Sequence, residues 1–406
     1  MKRHWLIIVL FVILAAALLL PACASQPAPT SQAPAPKPAT SAPAPAPTTS
    51  APAPAPSTSA PAPAPTTSAP APKPTEVKTI KISYSAPKGK SYGAGEEWFG
   101  PEFEKRTNGR YKVEVFGAST LVPITAVLDS VRKGVCQIGL TSAGMFSKDF
   151  PLTMVTHALT VGWNGADVPM YNASTEAFME FSKIPEVAAE LNNGFTFLWD
   201  DVLNASNLIM KSKAIHVPAD FKGTKVAAPG GTGEIVKGNG GASVTVMTPE
   251  YYTNLDKGVI DGAIASMTMV TDWKLQNICD YFFLQSFGCG TMLVLANNDF
   301  LKAMSPEDRK IFDQTRAESW IPTRDYFIKS YSESIETLKS QNKKLTYPTP
   351  EEAAAWVKAD EQWFLSKWRA DAKSVGVSDA TCDKVLQSFK DIRKKYWLKY
   401  NLPGTP

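Results

Sequence analysis

Histidine is nearly absent, with three residues in 406, and most of the side chains that run acid–base or metal chemistry at neutral pH go with it. Beyond the N-terminal segment only His157 and His216 remain. Neither has a metal-spaced partner, and no His-Glu-x-x-His or Gly-x-Ser-x-Gly occurs. His157 lies in a Thr/Leu-rich run and reads as a satisfied core residue; His216 reads as a solvated turn residue. Cysteine is scarce too. The five residues Cys23, Cys136, Cys279, Cys289 and Cys382 include no Cys-x-x-Cys pair, which argues against zinc. Cys136 sits in an apolar run and reads as a buried thiol, while Cys279 and Cys289 either bridge in an oxidising compartment or stay free. A charge of one sign is lacking as well. With Lys2 and Arg3 set aside, 40 basic groups face 38 acidic ones, and nucleic-acid binding, which needs a clustered basic face, is not expected. Gly230-Gly231-Thr232-Gly233 lacks the Gly-Lys-Ser/Thr that a phosphate loop requires, and reads as a turn. The sequence assigns no catalytic residue, metal or cofactor.

The long apolar run is N-terminal. Lys2 and Arg3 precede Trp5–Leu20, and Leu20-Pro21-Ala22-Cys23 resembles a bacterial lipobox. That implies cleavage after residue 22, lipidation of Cys23 and an extracytoplasmic location on the membrane; the alternative is a retained transmembrane helix. Residues 23–75 follow as Ala/Pro/Ser/Thr repeats with nothing large enough to bury. Such a stretch favours polyproline II at about 3.1 Å per residue, a semi-rigid tether or a glycosylated stalk reaching on the order of 100 Å.

The folded part is organised around Ile215 to Ser266. Pro218-Ala219-Asp220 starts a turn, and Gly223 lets the chain reverse into a short strand, Lys225 to Ala228. Pro229 to Gly233 is a flexible turn. A second strand over Ser243–Met247 and a helix over Glu250–Asp256 lead to a third strand, Val259–Ala265, whose Gly262 marks a close approach. Strands alternating with helices predict a parallel sheet, with ligands beyond the carboxyl ends of its strands. Upstream, Lys78–Tyr84, Tyr111–Phe116 and Cys136–Thr141 read as strands. Helices are expected from Tyr92 to Arg106 and from Thr125 to Lys133. Phe195–Asp200 is a further strand, Asn207–Ser212 crosses to a second lobe and Tyr281–Ala296 crosses back. The remainder, entered through a Ser305-Pro306-Glu307-Asp308 cap, reads as helical almost throughout.

Asp220-Phe221-Lys222-Gly223-Thr224-Lys225-Val226, the Pro229-Gly230 loop and Gly258-Val259-Ile260-Asp261-Gly262 occur in that order. Upstream stand Glu104 to Phe116 and Val127 to Gly139, the latter with Gln137 where an acid is common. Together these resemble the DctP-like substrate-binding subunits of tripartite ATP-independent periplasmic (TRAP) transporters, over roughly Lys78 to Gln314. The resemblance implies an α/β, two-lobed periplasmic-binding-protein fold with parallel or mixed sheets, hinge strands and a helical C-terminal region. Its expected parts are lobe I at 76–205, lobe II at 206–285, a return to lobe I at 286–330 and C-terminal helices at 331–406 packing on lobe II. It also implies a small organic solute, usually an acid, and as partners the small and large membrane subunits of a TRAP permease. Other readings are an ABC-type binding lipoprotein, or a surface enzyme or interaction module on the same fold.

The family places a carboxylate-pairing arginine on the strand where this chain has Ala227, and a second where it has Asn207. The polar run that follows Asp-Gly is here Ala263-Ile264-Ala265. Lys211 is the substitute cation, without bidentate geometry. In place of the arginines the strand-end loops carry Tyr84, Met145, Phe146, Trp163, Trp199, Met267, Met269 and Trp273, read either as packing or as walls for a flatter, more apolar ligand. Tyr84, Asn207, Thr232 or Glu234 would orient it. Trp356, Trp363, Phe364 and Trp368, at helical spacing, read as packing.

Overall fold

A computed structural model describes residues 77–402 except 91, 158–166, 204, 229, 247 and 289. The signal, Cys23, the tether, Trp163 and Cys289 therefore lie outside the described residues.

The first sheet has the order β2-β1-β3-β10-β4, with β1 Lys78–Ser83, β2 Tyr111–Phe116, β3 Ile138–Ser142, β4 Thr196–Val202 and β10 Thr291–Ala296. Period-2 alternation in β1 sends Ile80 and Ile82 inward, both fully buried. Strands β1, β2 and β3 run parallel, whereas β10 runs antiparallel to β3 and β4. Helix Ala94–Arg106 covers one face with Phe99 and Phe103, which pack on Phe312. It ends through Asn108 and Gly109, whose positive φ values of 50° and 75° let the Gly109 N–H return to the Glu104 carbonyl. Helices Val127–Arg132 and Val168–Phe181 belong to the opposite face.

The second sheet has the order β11-β9-β5-β8-β6-β7, with β5 Ser206–Met210, β6 Lys225–Ala227, β7 Ala242–Val244, β8 Gly262–Ser266, β9 Tyr281–Phe283 and β11 Lys344–Thr346. The expected α/β fold is present as two lobes of mixed sheet. Gly262 is where close approach was expected: a Cβ there would overlap the Met210 side chain on β5. Two adjacent segments join the lobes. One runs from β4 into β5, the other from β9 into β10, and they are tied by Ser206 N–H to Gly288 O and Phe287 N–H to Ser206 O, both 2.8 Å.

Helix Trp320–Ser340 touches both lobes. Its Thr323 hydroxyl accepts from the Gly95 N–H at 3.1 Å in the first, and Ser334 hydrogen-bonds Thr271 at 2.9 Å in the second. The C-terminal helices correct one expectation. Helix Pro350–Ala359 does pack on the second lobe, through Trp356. A π-helical turn, Asp360–Leu365, then passes to the first lobe: Trp363 lies against Gly238, while Phe364 and Trp368 join the first lobe's core. The last helix, Asp379–Lys399, buries Val385 and Phe389 there, with Phe389 against Phe181, and not on the second lobe. Its apolar stripe matches the face left open by helix Val168–Phe181.

Candidate functional site

Strand polarity defines the cleft. β1 and β3 end, and β10 begins, on the edge of the first sheet that faces the lobe crossings; β6 and β8 end, and β5 begins, on the corresponding edge of the second. Between the lobes lies a cavity of about 170 Å³ bounded by Gly144, Met154, Gly230, Gly231, Glu234, Phe364 and Lys367. A larger one of about 440 Å³, lined by Leu208, Met210, Phe283 and Lys344, opens at the β11 edge of the second lobe and does not involve the cleft edges.

The expected site residues separate into three groups. On the cleft side, Met145 is 39% exposed in the turn after β3, and Phe146 is half-buried against the first lobe's core. Thr232 is buried in the first turn of helix Thr232–Gly238, and Glu234 lines the cavity while pairing with Lys237 at 2.9 Å. At the strand edges, Asn207 is buried and donates from Nδ2 to the Ala205 carbonyl at 2.9 Å, and Ala227 is buried in the second lobe's core. The third group stands behind the wall. Tyr84 turns into the first core, with its ring over Gly93 and Gly117 and its hydroxyl donating to Glu97. Trp199 packs on Phe99 and donates its indole N–H to Asp201 at 3.2 Å. The reason is a bulge: β4 pairs Trp199 with Val294 and Phe197 with Leu295, leaving Leu198 unpaired, so Leu198 and Trp199 face the same core. Met267 is fully buried, and Trp273 and Met269 pack against the same core of the second lobe.

Lys211, the expected substitute cation, is engaged away from the cleft edge. Its ammonium donates to the Leu255 and Asp256 carbonyls at 2.9 and 3.3 Å, at the far end of β5. No arginine lies between Arg132 and Arg309, so the whole second lobe lacks a guanidinium. Seven arginines of the first lobe and C-terminal helices pair with acids: Arg106 with Glu318, Arg110 with Asp308, Arg132 with Asp149, Arg309 and Arg316 with Asp313, Arg324 with Asp325, and Arg369 with Asp383.

His157 is a structural residue. Its Nε2 accepts the Thr291 N–H at 3.2 Å, and burial lowers its pKa to about 4, so the ring is neutral and fixes the start of β10. His216, half-exposed, has Nδ1 3.4 Å from Glu352. Among the described residues Cys136, Cys279 and Cys382 are free buried thiols, and the expected alternative bridge of Cys279 to Cys289 lies outside them. Among the described residues no group of three or more His, Cys, Asp or Glu could hold a metal ion, and no helix is long and apolar enough to cross a membrane.

Sequence reasoning missed the contact that joins the lobe edges. Lys90, in the loop after β1, places its ammonium 3.2 Å from Asp272, the last residue of helix Met267–Asp272. The two are 182 positions apart, and no local pattern links them.

A solute-binding protein of Verminephrobacter eiseniae is 24% identical over 242 residues, 58% of this chain and 69% of the relative. Two solved structures share the fold. A marine-metagenome TRAP solute-binding protein specific for aromatic acid ligands, in complex with 3-hydroxybenzoate, superposes with a TM-score of 0.69 at 20% identity, covering 79% of this chain and 99% of that one. A Rhodoferax ferrireducens TRAP solute-binding protein with copurified benzoate superposes at 0.68 and 18% identity, covering 79% and 99%. The sequence model of the bacterial extracellular solute-binding protein family 7, DctP, matches residues 82–368, and the chain belongs to that family.

Proposed function

We propose that this protein captures a small organic acid with one carboxylate on an aromatic or apolar body, and delivers it to a TRAP-type membrane permease. The carrying observation is the absence of arginine between Arg132 and Arg309, with Ala227 and Asn207 buried at the cleft edges. A dicarboxylate rewards two charged forks. A cleft bounded by Met154, Phe364 and a glycine turn, with Glu234, Lys367 and Asp371 as its charged groups and no guanidinium, rewards apolar area with a few polar contacts to fix orientation. The aromatic acids bound by the two structural relatives support this reading.

Binding is expected to be non-covalent, with affinity from lobe closure. Cys23, lipidated, would hold the protein to the outer side of the membrane through the Pro-rich tether. Cys23→Ser is expected to release it from the membrane fraction, and retention of the variant would overturn the anchor. For the ligand, a melting-temperature screen of the full chain against mono- and dicarboxylates is direct. A solute at a hundredfold excess over Kd is expected to raise Tm by on the order of 5 °C. A rise with succinate or malate and none with benzoate-like acids would overturn the ligand class.

A further inference from the structure

The arginine-free cleft raises the question of what holds the lobes closed. In a site with guanidinium groups the solute itself bridges them with charge-assisted bonds. Here an ion pair joins the lobes directly. Lys90 belongs to the first lobe and Asp272 to the second, with Nζ 3.2 Å from Oδ1. The Asp272 side chain is only 9% exposed, whereas Lys90 is 55% exposed. The Tyr326 hydroxyl donates to Asp272 Oδ2 at 3.2 Å and lies 3.4 Å from Oδ1, so the carboxylate is held in place by the helix that touches both lobes. That helix also carries Glu333, a second negative charge acting on Lys90. Asp272 is thus a fixed, partly desolvated anchor and Lys90 an exposed ammonium on a long stem that reaches it from across the cleft.

We propose that Lys90 and Asp272, oriented by Tyr326, form a latch that stabilises the closed form and slows solute release. They act as positioning residues, and the consequence for bound solute rests on the proposed function. An exposed ion pair of this kind shifts the closed-to-open ratio by about two- to fivefold, and salt screens it.

The test is fluorescence energy transfer in the full chain between genetically encoded labels at Lys112 on the first lobe and Lys257 on the second. Lys90→Met, Asp272→Asn, the double variant and Tyr326→Phe are compared at low and high salt, with and without benzoate. Each of the first two single variants is expected to lower the closed-to-open ratio about two- to fivefold, and the double variant no further than either single one. High salt is expected to reproduce the shift in the wild type and leave the variants unchanged. Where benzoate binds, its release rate rises by the same factor while its association rate holds. The latch is overturned by single variants that match the wild type, by additive effects in the double variant, or by a salt-insensitive wild type. It is also overturned if Lys90→Met abolishes benzoate binding while Asp272→Asn preserves closure, because Lys90 is then a solute contact. The salt response is read without solute, so failure to bind benzoate counts against the ligand class and leaves the latch to be judged on its own.

Discussion

Glu96, in the first turn of helix Ala94–Arg106, and Asp201, near the end of β4, face each other as two fully buried carboxyls. Neither Glu96 oxygen nor Asp201 Oδ2 has a hydrogen-bond partner within bonding distance, yet each acid acts on the other's proton. Burial, then Asp201, pushes the Glu96 pKa well up, and burial raises Asp201 to about 7. Both are protonated in acid, because two adjacent buried charges are too costly to keep.

The sign of the pH dependence follows. A carboxyl whose folded pKa lies above its unfolded value of about 4 adds stability that is complete below that value and lost as pH rises through about 7. His157, held down near 4, works in the opposite sense, gaining stability from about pH 4 to 6.5. The difference between wild type and Asp201→Asn therefore reports Asp201 together with the two buried carboxyls it acts on, Glu96 and Asp200. Thermal melts from about pH 5 to 8 are expected to show the wild type losing a few degrees more than the variant. Parallel curves would remove Asp201 from this role.

Gly231 and Phe364 give a packing prediction. The Phe364 ring occupies the space a Cβ on Gly231 would need, and the ring is itself 3% exposed, so it has little room to yield. Gly231 has an ordinary helical φ of −65°, which makes space and not backbone strain the reason for glycine. Gly231→Ala is expected to cost about 1–3 kcal/mol in urea unfolding, with most of it recovered when Phe364→Leu is added. An unchanged midpoint in the single variant would contradict the overlap.

Glu190 supports the cleft floor from below. Its two oxygens accept the Leu152 and Thr153 N–H groups at 2.7 and 2.9 Å, ahead of the turn that carries Met154 and His157. Glu190→Ala leaves two N–H groups without their acceptor and is expected to cost about 2–3 kcal/mol. Hydrogen exchange at Leu152 and Thr153 is expected to accelerate. Unchanged protection at both amides would show another group holding them.

Much of this fold is legible locally. Ile80 and Ile82 announce β1 by alternation, Gly223 marks a reversal with φ +77°, and Ser305 caps its helix by accepting from the Asp308 N–H at 3.0 Å. What is not legible depends on partners far along the chain. β11 is three residues, Lys344–Thr346, in a stretch that reads as helical; it becomes a strand by lying beside β9, with the Leu284 N–H on the Thr346 carbonyl at 2.8 Å. The candidate site is harder still. An aromatic residue at a strand end reads alike whether it lines a cleft or stands behind it, and an unpaired Leu198 decides the matter for Trp199. That Ala227 and Asn207 stand where the resemblance expects arginine can be read from the sequence, but the engagement of Lys211 at the far end of β5 cannot.

The most direct measurement is native mass spectrometry of the full chain purified without refolding, followed by release and identification of any small molecule that travels with it. One aromatic or apolar monocarboxylic acid per chain is expected, exchangeable for benzoate and not displaced by succinate. A copurified four-carbon dicarboxylate, or succinate displacing the bound acid at equal concentration, would contradict it.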